Sequence, residues 1–381
     1  MATTFFTSEH DELRRSVRRF AEQELAPHAD EWEEEGDFPD WVFKRSGELG
    51  FLGLTYPEEY GGQGADYFAT IVLAEEIGRC NSGGVAMGLA VQTDMATPPI
   101  YKFGTEEQKQ KYLVPAIRGE KIACLGISEP NAGSDVMNIE TTAARDGSGW
   151  LVNGSKTFIT NGIRADFMTL VAKTRRDGRD TGHSLFLLDT DTPGFERTRK
   201  LDKVGMLTSD TAEIAFEDCR LPAEALLGTE GEGFKHIMWE LQGERLIGAV
   251  AGAAGAARVL EGTIAYAKQR EAFGRPIGKF QAIRHKLAHL ASLVTGLREL
   301  IYYTAYRWNR GEYVVREISM AKLLSGKIGF EVVNECLQVF GGHGYSMEVP
   351  IQRAWRDMRL NRIGGGTDEI MREVIGKLEG L

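Results

Sequence analysis

The chain has 381 residues, 42% of them hydrophobic, with 55 acidic against 45 basic side chains and a net charge of -10. That length suits two or three domains sharing an interior, and the negative balance repels a polyanionic backbone, which excludes nucleic acid as a partner. Cys80, Cys124, Cys219 and Cys336 lie far apart with no CxxC pair, so neither a zinc cluster nor a disulfide framework is expected and a reducing cytoplasm is the natural compartment.

From the start, Met-Ala-Thr-Thr-Phe-Phe reaches Glu9 and Asp11 too soon for an apolar signal core or an acid-poor transit peptide. Apolar residues then recur at helical spacing to Gly119, as in Leu13, Val17, Phe20 and Ala21, with breaks at 57–64 and Pro98-Pro99. Between Lys121 and Leu227 the pattern becomes short β-branched and aromatic runs cut by Asn153-Gly154, Asn161-Gly162 and Asp177-Gly178, which predicts a β domain of hairpins. Helical periodicity returns after Gly228 over 233–269, 280–308 and 314–340, and a last helix follows Thr367. The longest stretch without charge, Leu246 to Ala257, falls short of the ~20 residues that span a bilayer and reads as a tightly packed helix. Helices, strands and helices in that order predict an α+β fold with an N-terminal helical domain (1–120), a central β domain (121–228) and a C-terminal helical domain (229–381).

Several chemistries fail on spacing. No GxGxxG follows a strand, since Gly342-His343-Gly344-Tyr345-Ser346-Met347 lacks the third glycine and follows a helix, and no GxxxxGK[ST] or GxSxG occurs. His285 and His289 have the spacing of a metal-binding helix face, but no Glu follows His285 and no third ligand is near, so two surface or packing histidines are expected and no metal.

What remains is a set of segments that are individually weak. The run from Leu125 to Asp135 (Leu-Gly-Ile-Ser-Glu-Pro-Asn-Ala-Gly-Ser-Asp) is dense in small residues and hydroxyls, and would pass alone as a turn. Lys156 to Gly162 presents Phe158 and Thr160 on one strand face, a pair able to stack on and hydrogen-bond a flat ring. Arg270 to Ile277 breaks a helix and supplies guanidinium groups that could clamp a pyrophosphate. Gln338 to Tyr345 is a glycine-rich helix end.

Together with Pro57-Glu58-Glu59-Tyr60-Gly61-Gly62 and Gly364-Gly365-Gly366-Thr367-Asp368-Glu369-Ile370, these segments resemble the acyl-CoA dehydrogenase family nearly end to end. The resemblance implies a C-terminal four-helix bundle, a homotetramer, and FAD held between the last two domains and across a subunit contact. Carried over, Leu125, Ile127, Ser128, Ser134, Phe158, Ile159 and Thr160 would meet FAD, with Ser128 and Thr160 bonding the ring edge and Phe158 against the ring. Arg270 and Gln281 would hold the pyrophosphate region, with Phe273 also a cofactor contact. Gln338, Gly341 and Gly342 would meet the adenosine half, and Thr367 and Glu369 would stand at a helix N-terminus beside the cofactor. Substrate contacts fall to Ser134, Leu241, Arg245, Gly365 and Gly366.

The family's reaction removes an acyl-CoA α-proton while a β-hydride passes to flavin, giving the trans-2-enoyl-CoA. It needs a carboxylate in a dry pocket, where burial raises the pKa toward working pH. Many members carry this glutamate just before Gly-Thr in the terminal loop, but here that position is Gly365. Leu241-Gln242-Gly243-Glu244-Arg245-Leu246 resembles the alternative site of the long-chain and isovaleryl-CoA dehydrogenase branch, where the base projects from a C-terminal-domain helix, so Glu244 is the expected base. Ile237, Leu241, Glu244, Gly248 and Ala251 share a helical stripe that Glu244 interrupts, and Arg245 points about 100° away, unsuited to pairing with it. Glu240, one turn earlier, is the rival candidate; a purely structural bond to a backbone donor or distant arginine is the alternative for Glu244. The Gly365 N–H and a ribityl hydroxyl would bind the thioester oxygen. The resemblance implies reoxidation by an electron-transferring flavoprotein; an acyl-CoA oxidase or a non-catalytic acyl-CoA-binding homologue are the alternatives. Nothing in the sequence selects an acyl chain length.

Overall fold

The computed structural model describes residues 5–381, so the reading of Met1 to Thr4 lies outside the described residues. Helix α1 (Ser8–Phe20) opens on a capping box in which the Thr7 side chain accepts from the His10 N–H and the His10 ring accepts from the Thr7 N–H. It packs on α2 (Tyr67–Ile77), whose N-terminal Asp66 carboxylate accepts the Phe68 N–H at 2.9 Å. Because α2 is apolar nearly all round it runs through the interior, with eight of its residues buried. Further on, the helix Gly83–Ala90 passes into a π-helical turn, Val91–Ala96, of the widened kind often found at functional sites.

The middle of the chain is one eight-stranded sheet. Its strands are β1 (Ala123–Gly126), β2 (Thr142–Asp146), β3 (Gly149–Thr160), β4 (Phe167–Arg176), β5 (Arg179–Asp189), β6 (Phe195–Lys200), β7 (Thr211–Leu221) and β8 (Leu226–Leu227). The order is β6-β7-β3-β2-β4-β5-β8, with β1 also on β4. The expected domain of hairpins needs correction, because β1 and β2 both pair with β4 in parallel. Asp177-Gly178 does turn β4 into β5, both residues having positive φ. Asn153-Gly154 does not end a strand: it lies inside β3 at a register shift against β7, and the turn into β3 falls earlier, at 147–148.

Three long helices follow, α3 (Gly233–Gln269), α4 (Gln281–Asn309) and α5 (Val315–Phe340), within a residue of the expected spans, and α7 (Asp368–Leu378) starts at Thr367 as read. The sequence reading leaves out α6 (Ile351–Leu360), which buries Ile351 and Met358 on one side. By length and composition α3 could cross a membrane, but its faces pack on α5, α4 and α2. One apolar core, including Ile71, Met95, Phe167, Leu187, Ile237, Val250 and Ala321, joins both sets of helices to the sheet. Each large side chain so buried contributes about 1.5–3 kcal/mol.

Candidate active site

The inward face of α3 carries an acid where packing calls for a hydrocarbon. Ile237 and Leu241 on the stripe are buried and Glu244 follows, although Ala251 at the far end is exposed, so the stripe is shorter than expected. Glu244 lies deep in the chain yet keeps some accessible surface. It forms no ion pair or hydrogen bond with any described residue. Arg245 points elsewhere, its Nε donating to the Gly365 carbonyl at 3.1 Å. Burial raises the Glu244 carboxyl above the usual carboxylate range, partly offset by the charges of Arg245 and Lys322.

The terminal loop meets that carboxylate. Gly365 and Gly366 have φ of +67° and +106°, left-handed backbone that a side chain would strain. A Cβ on Gly365 would stand 3.1 Å from Glu244 Oε1 and 3.6 Å from Lys322 Cε. Lys322 on α5 is 3% exposed and donates to the Asn361 carbonyl at 2.5 Å, pinning the loop from below. Burial pushes its ammonium down to about 8, opposed by Glu244. The Gly365 N–H has no backbone partner. An N–H without a backbone partner and an unpaired carboxylate therefore lie on adjoining segments.

A second group forms around the Leu125–Asp135 loop. Leu125 and Ile127 rest on the core that holds Ile237 and Met238 of α3. The loop is anchored by Glu129, which accepts from the Thr141 N–H at 3.0 Å and pairs with Lys156 of β3 at 2.7 Å, both side chains being buried. Burial pushes the Glu129 carboxyl up, but the Lys156 charge and these donors hold it below its usual range. The Thr157 N–H donates to the Ser128 carbonyl at 2.9 Å, drawing Ser128 to the segment that carries Phe158. Phe158 is 70% exposed and has φ of +59°, rare for an aromatic residue and a recurrent mark of functional sites. Thr160 keeps partial exposure, whereas Ile159 turns into the sheet core and can reach a ligand only through its backbone. Ser134 is exposed on the loop. A bare ring beside hydroxyls fits a flat heteroaromatic cofactor.

A third group lies apart. Arg270, Gly341 and Gly342 line one cleft of about 570 Å³ with Tyr266, Phe340 and His343. Phe273 is 96% exposed at a hairpin tip, and Gln281 and Gln338 are exposed. Thr367 caps α7 by accepting the Ile370 N–H at 3.3 Å, and the exposed Glu369 pairs with Arg372. At 1.5 Å per residue, Arg270 is about 39 Å along α3 from Glu244, so one chain does not bring these two together.

Sequence reasoning missed Lys322, Asn361 and Asp94, the last on the Val91–Ala96 turn with its carbonyl oxygen 3.7 Å from where a Cβ on Gly243 would stand. Lys322 had a usable signal, a lysine on the buried face of α5 beside Ala321. Asp94 had none.

Family models for the N-terminal, middle and C-terminal domains of acyl-CoA dehydrogenases match residues 7–120, 124–219 and 231–378. The chain belongs to the acyl-CoA dehydrogenase family. It is 41% identical over 374 residues to the mitochondrial long-chain specific acyl-CoA dehydrogenase of Mus musculus, covering 98% of this chain and 86% of that protein. It is also 41% identical over 368 residues to the short-chain specific enzyme of Rattus norvegicus, covering 96% and 89%. Equal identity to both means that overall similarity does not select a chain length. Among solved structures, an acyl-CoA dehydrogenase from Geobacillus kaustophilus superposes with a TM-score of 0.96 at 40% identity, over 99% of this chain and 100% of that one. A glutaryl-CoA dehydrogenase from Mycobacterium smegmatis in complex with FADH2 does so with 0.94 at 30%, over 100% and 97%.

Proposed function

We propose that this acyl-CoA dehydrogenase family member desaturates an acyl-CoA thioester between its α and β carbons, with Glu244 as the base. The observation that carries the reading is the unpaired Glu244 carboxylate beside the unengaged Gly365 N–H. Glu244 takes the α-proton as general base, its basicity raised by the dry surroundings. The Gly365 N–H holds the thioester oxygen, where charge develops as that proton leaves. Arg245, through the Gly365 carbonyl, and Lys322, through that of Asn361, fix the loop that presents this donor. Neither needs to touch the reacting carbons.

FAD, when bound, supplies the acceptor for the hydride equivalent of the β carbon. Ser128, Phe158 and Thr160 are the residues that would hold its ring. Given the span along α3, Arg270, Gln281, Gln338, Gly341 and Gly342 would serve the cofactor of a neighbouring copy, in a tetramer that also covers Phe273. The segments 1–120, 121–228 and 229–381 act as its domains, an electron-transferring flavoprotein takes the electrons, and four buried free thiols suit the cytoplasm.

Anaerobic titration of the yellow holoprotein with acyl-CoAs of graded length tests the reading. Bleaching of the flavin by at least one of them is expected, and the fastest identifies the substrate class. Binding without bleaching defeats the reading in favour of a non-catalytic homologue, and peroxide formed in air at the turnover rate points to an oxidase.

A further inference from the structure

Three acids meet where α3 faces the Val91–Ala96 turn. Glu240 and Glu244 sit one helical turn apart on the same side of α3. Gly243, just before Glu244, lets the turn come close, since a Cβ there would stand 3.7 Å from the Asp94 carbonyl oxygen. Glu240 is 2% exposed, and neither of its carboxyl oxygens has a hydrogen-bond partner. The Tyr67 hydroxyl at the start of α2 is likewise buried and unpartnered. Asp94 accepts from the Thr93 hydroxyl at 2.5 Å and keeps accessible surface. Two cations stand close to Glu244, but Arg245 Nε is committed to the Gly365 carbonyl and Lys322 Nζ to that of Asn361. A buried acid with both oxygens uncommitted calls for an explanation. Burial and the neighbouring Glu244 push Glu240 well above its usual range and so favour its protonated form, whereas burial pushes Asp94 up to about 7.

We infer that Glu240 relays the proton taken by Glu244 to Asp94, and so to solvent, resetting the base for the next turnover. The inference rests on the base assignment above. After abstraction the former α-proton sits on a Glu244 oxygen. Glu240, in the protonated form that its burial favours, accepts it on its free oxygen and releases its own proton from the other oxygen to Asp94, which passes it to water. One O–H bond forms for each that breaks, no electrons move, and Glu244 regains its charge. Free oxygens are what this step requires, because a carboxylate fixed by a lysine and backbone donors, as Glu129 is, cannot exchange its proton in this way. Glu240 acts through Glu244 and is a positioning residue for the proton.

The test uses holoprotein and an acyl-CoA analogue with sulfur in place of the β carbon, deuterated at the α carbon. Such an analogue has no β-hydride to give, so loss of deuterium to water, read by mass spectrometry, reports abstraction followed by escape of the proton. Bleaching by an ordinary acyl-CoA is measured in parallel. In Glu240→Gln the ratio of washout to bleaching rates should fall at least about tenfold, within the range of a proton-transfer contribution. A purely structural role would lower both rates together and leave the ratio alone. An unchanged ratio in Glu240→Gln, or in Asp94→Asn should the first variant lose flavin, overturns the relay. A wild type that no acyl-CoA bleaches defeats the functional reading instead, while one that bleaches as its variants exchange freely defeats only the relay.

Discussion

Glu244 Oε1 lies 3.1 Å from the point where a Cβ on Gly365 would project. A carboxylate from α3 thus crowds the space that a side chain at position 365 would claim, and a side chain there would require Glu244 to shift by a few tenths of an ångström.

Gly365→Ala should be destabilising by about 1–2 kcal/mol, the cost of a side chain in left-handed backbone, before any contact with Glu244 is counted. Thermal unfolding of the holoprotein measures it. A neutral result would mean that the loop adopts another conformation.

Lys156→Met leaves Glu129 buried with backbone donors but no countercharge, and should cost about 3–5 kcal/mol in denaturant unfolding. Because the pair ties the Ser128 loop to β3, the variant should also be purified with less flavin per chain. Full stability together with full flavin content would show that the loop is held by other means.

Phe158→Ala should change the unfolding free energy by no more than about 0.5 kcal/mol, since the ring is 70% exposed. Flavin retained through gel filtration should nevertheless drop. A large loss of stability with flavin unaffected would make Phe158 a packing residue.

Burial lifts the Asp94 carboxyl from 3.8 to about 7. The folded chain therefore keeps this proton where the unfolded chain has released it. The stability this group contributes is complete below about 3.8 and is lost as pH rises to about 7. Melting temperatures of Asp94→Asn and wild type, compared across that window, should diverge in favour of the variant as pH rises. A constant difference would show that Asp94 titrates normally.

The helical ends of the chain were legible because they are written in local periodicity, and Thr367 caps the helix it was read to cap. Glu244 was singled out by resemblance to the family's alternative base site, with the apolar stripe it interrupts as support. Relations set by tertiary packing were not. Parallel pairing of β1 and β2 with β4 leaves no short-range mark, and Asn153-Gly154 reads as a turn although β3 absorbs it as an irregularity. The partners of the buried lysines escaped for the same reason, although the place of Lys322 on the buried face of α5 was itself readable. Lys156 finds Glu129, and Lys322 finds the carbonyl of Asn361, across distances in sequence that composition does not reveal.

Glu244→Gln removes the base and leaves the shape of the cleft nearly intact. Stopped-flow reduction of the bound flavin by the best acyl-CoA should slow by at least about a thousandfold, with flavin content unchanged. Reduction within a few-fold of wild type would show that another group takes the α-proton.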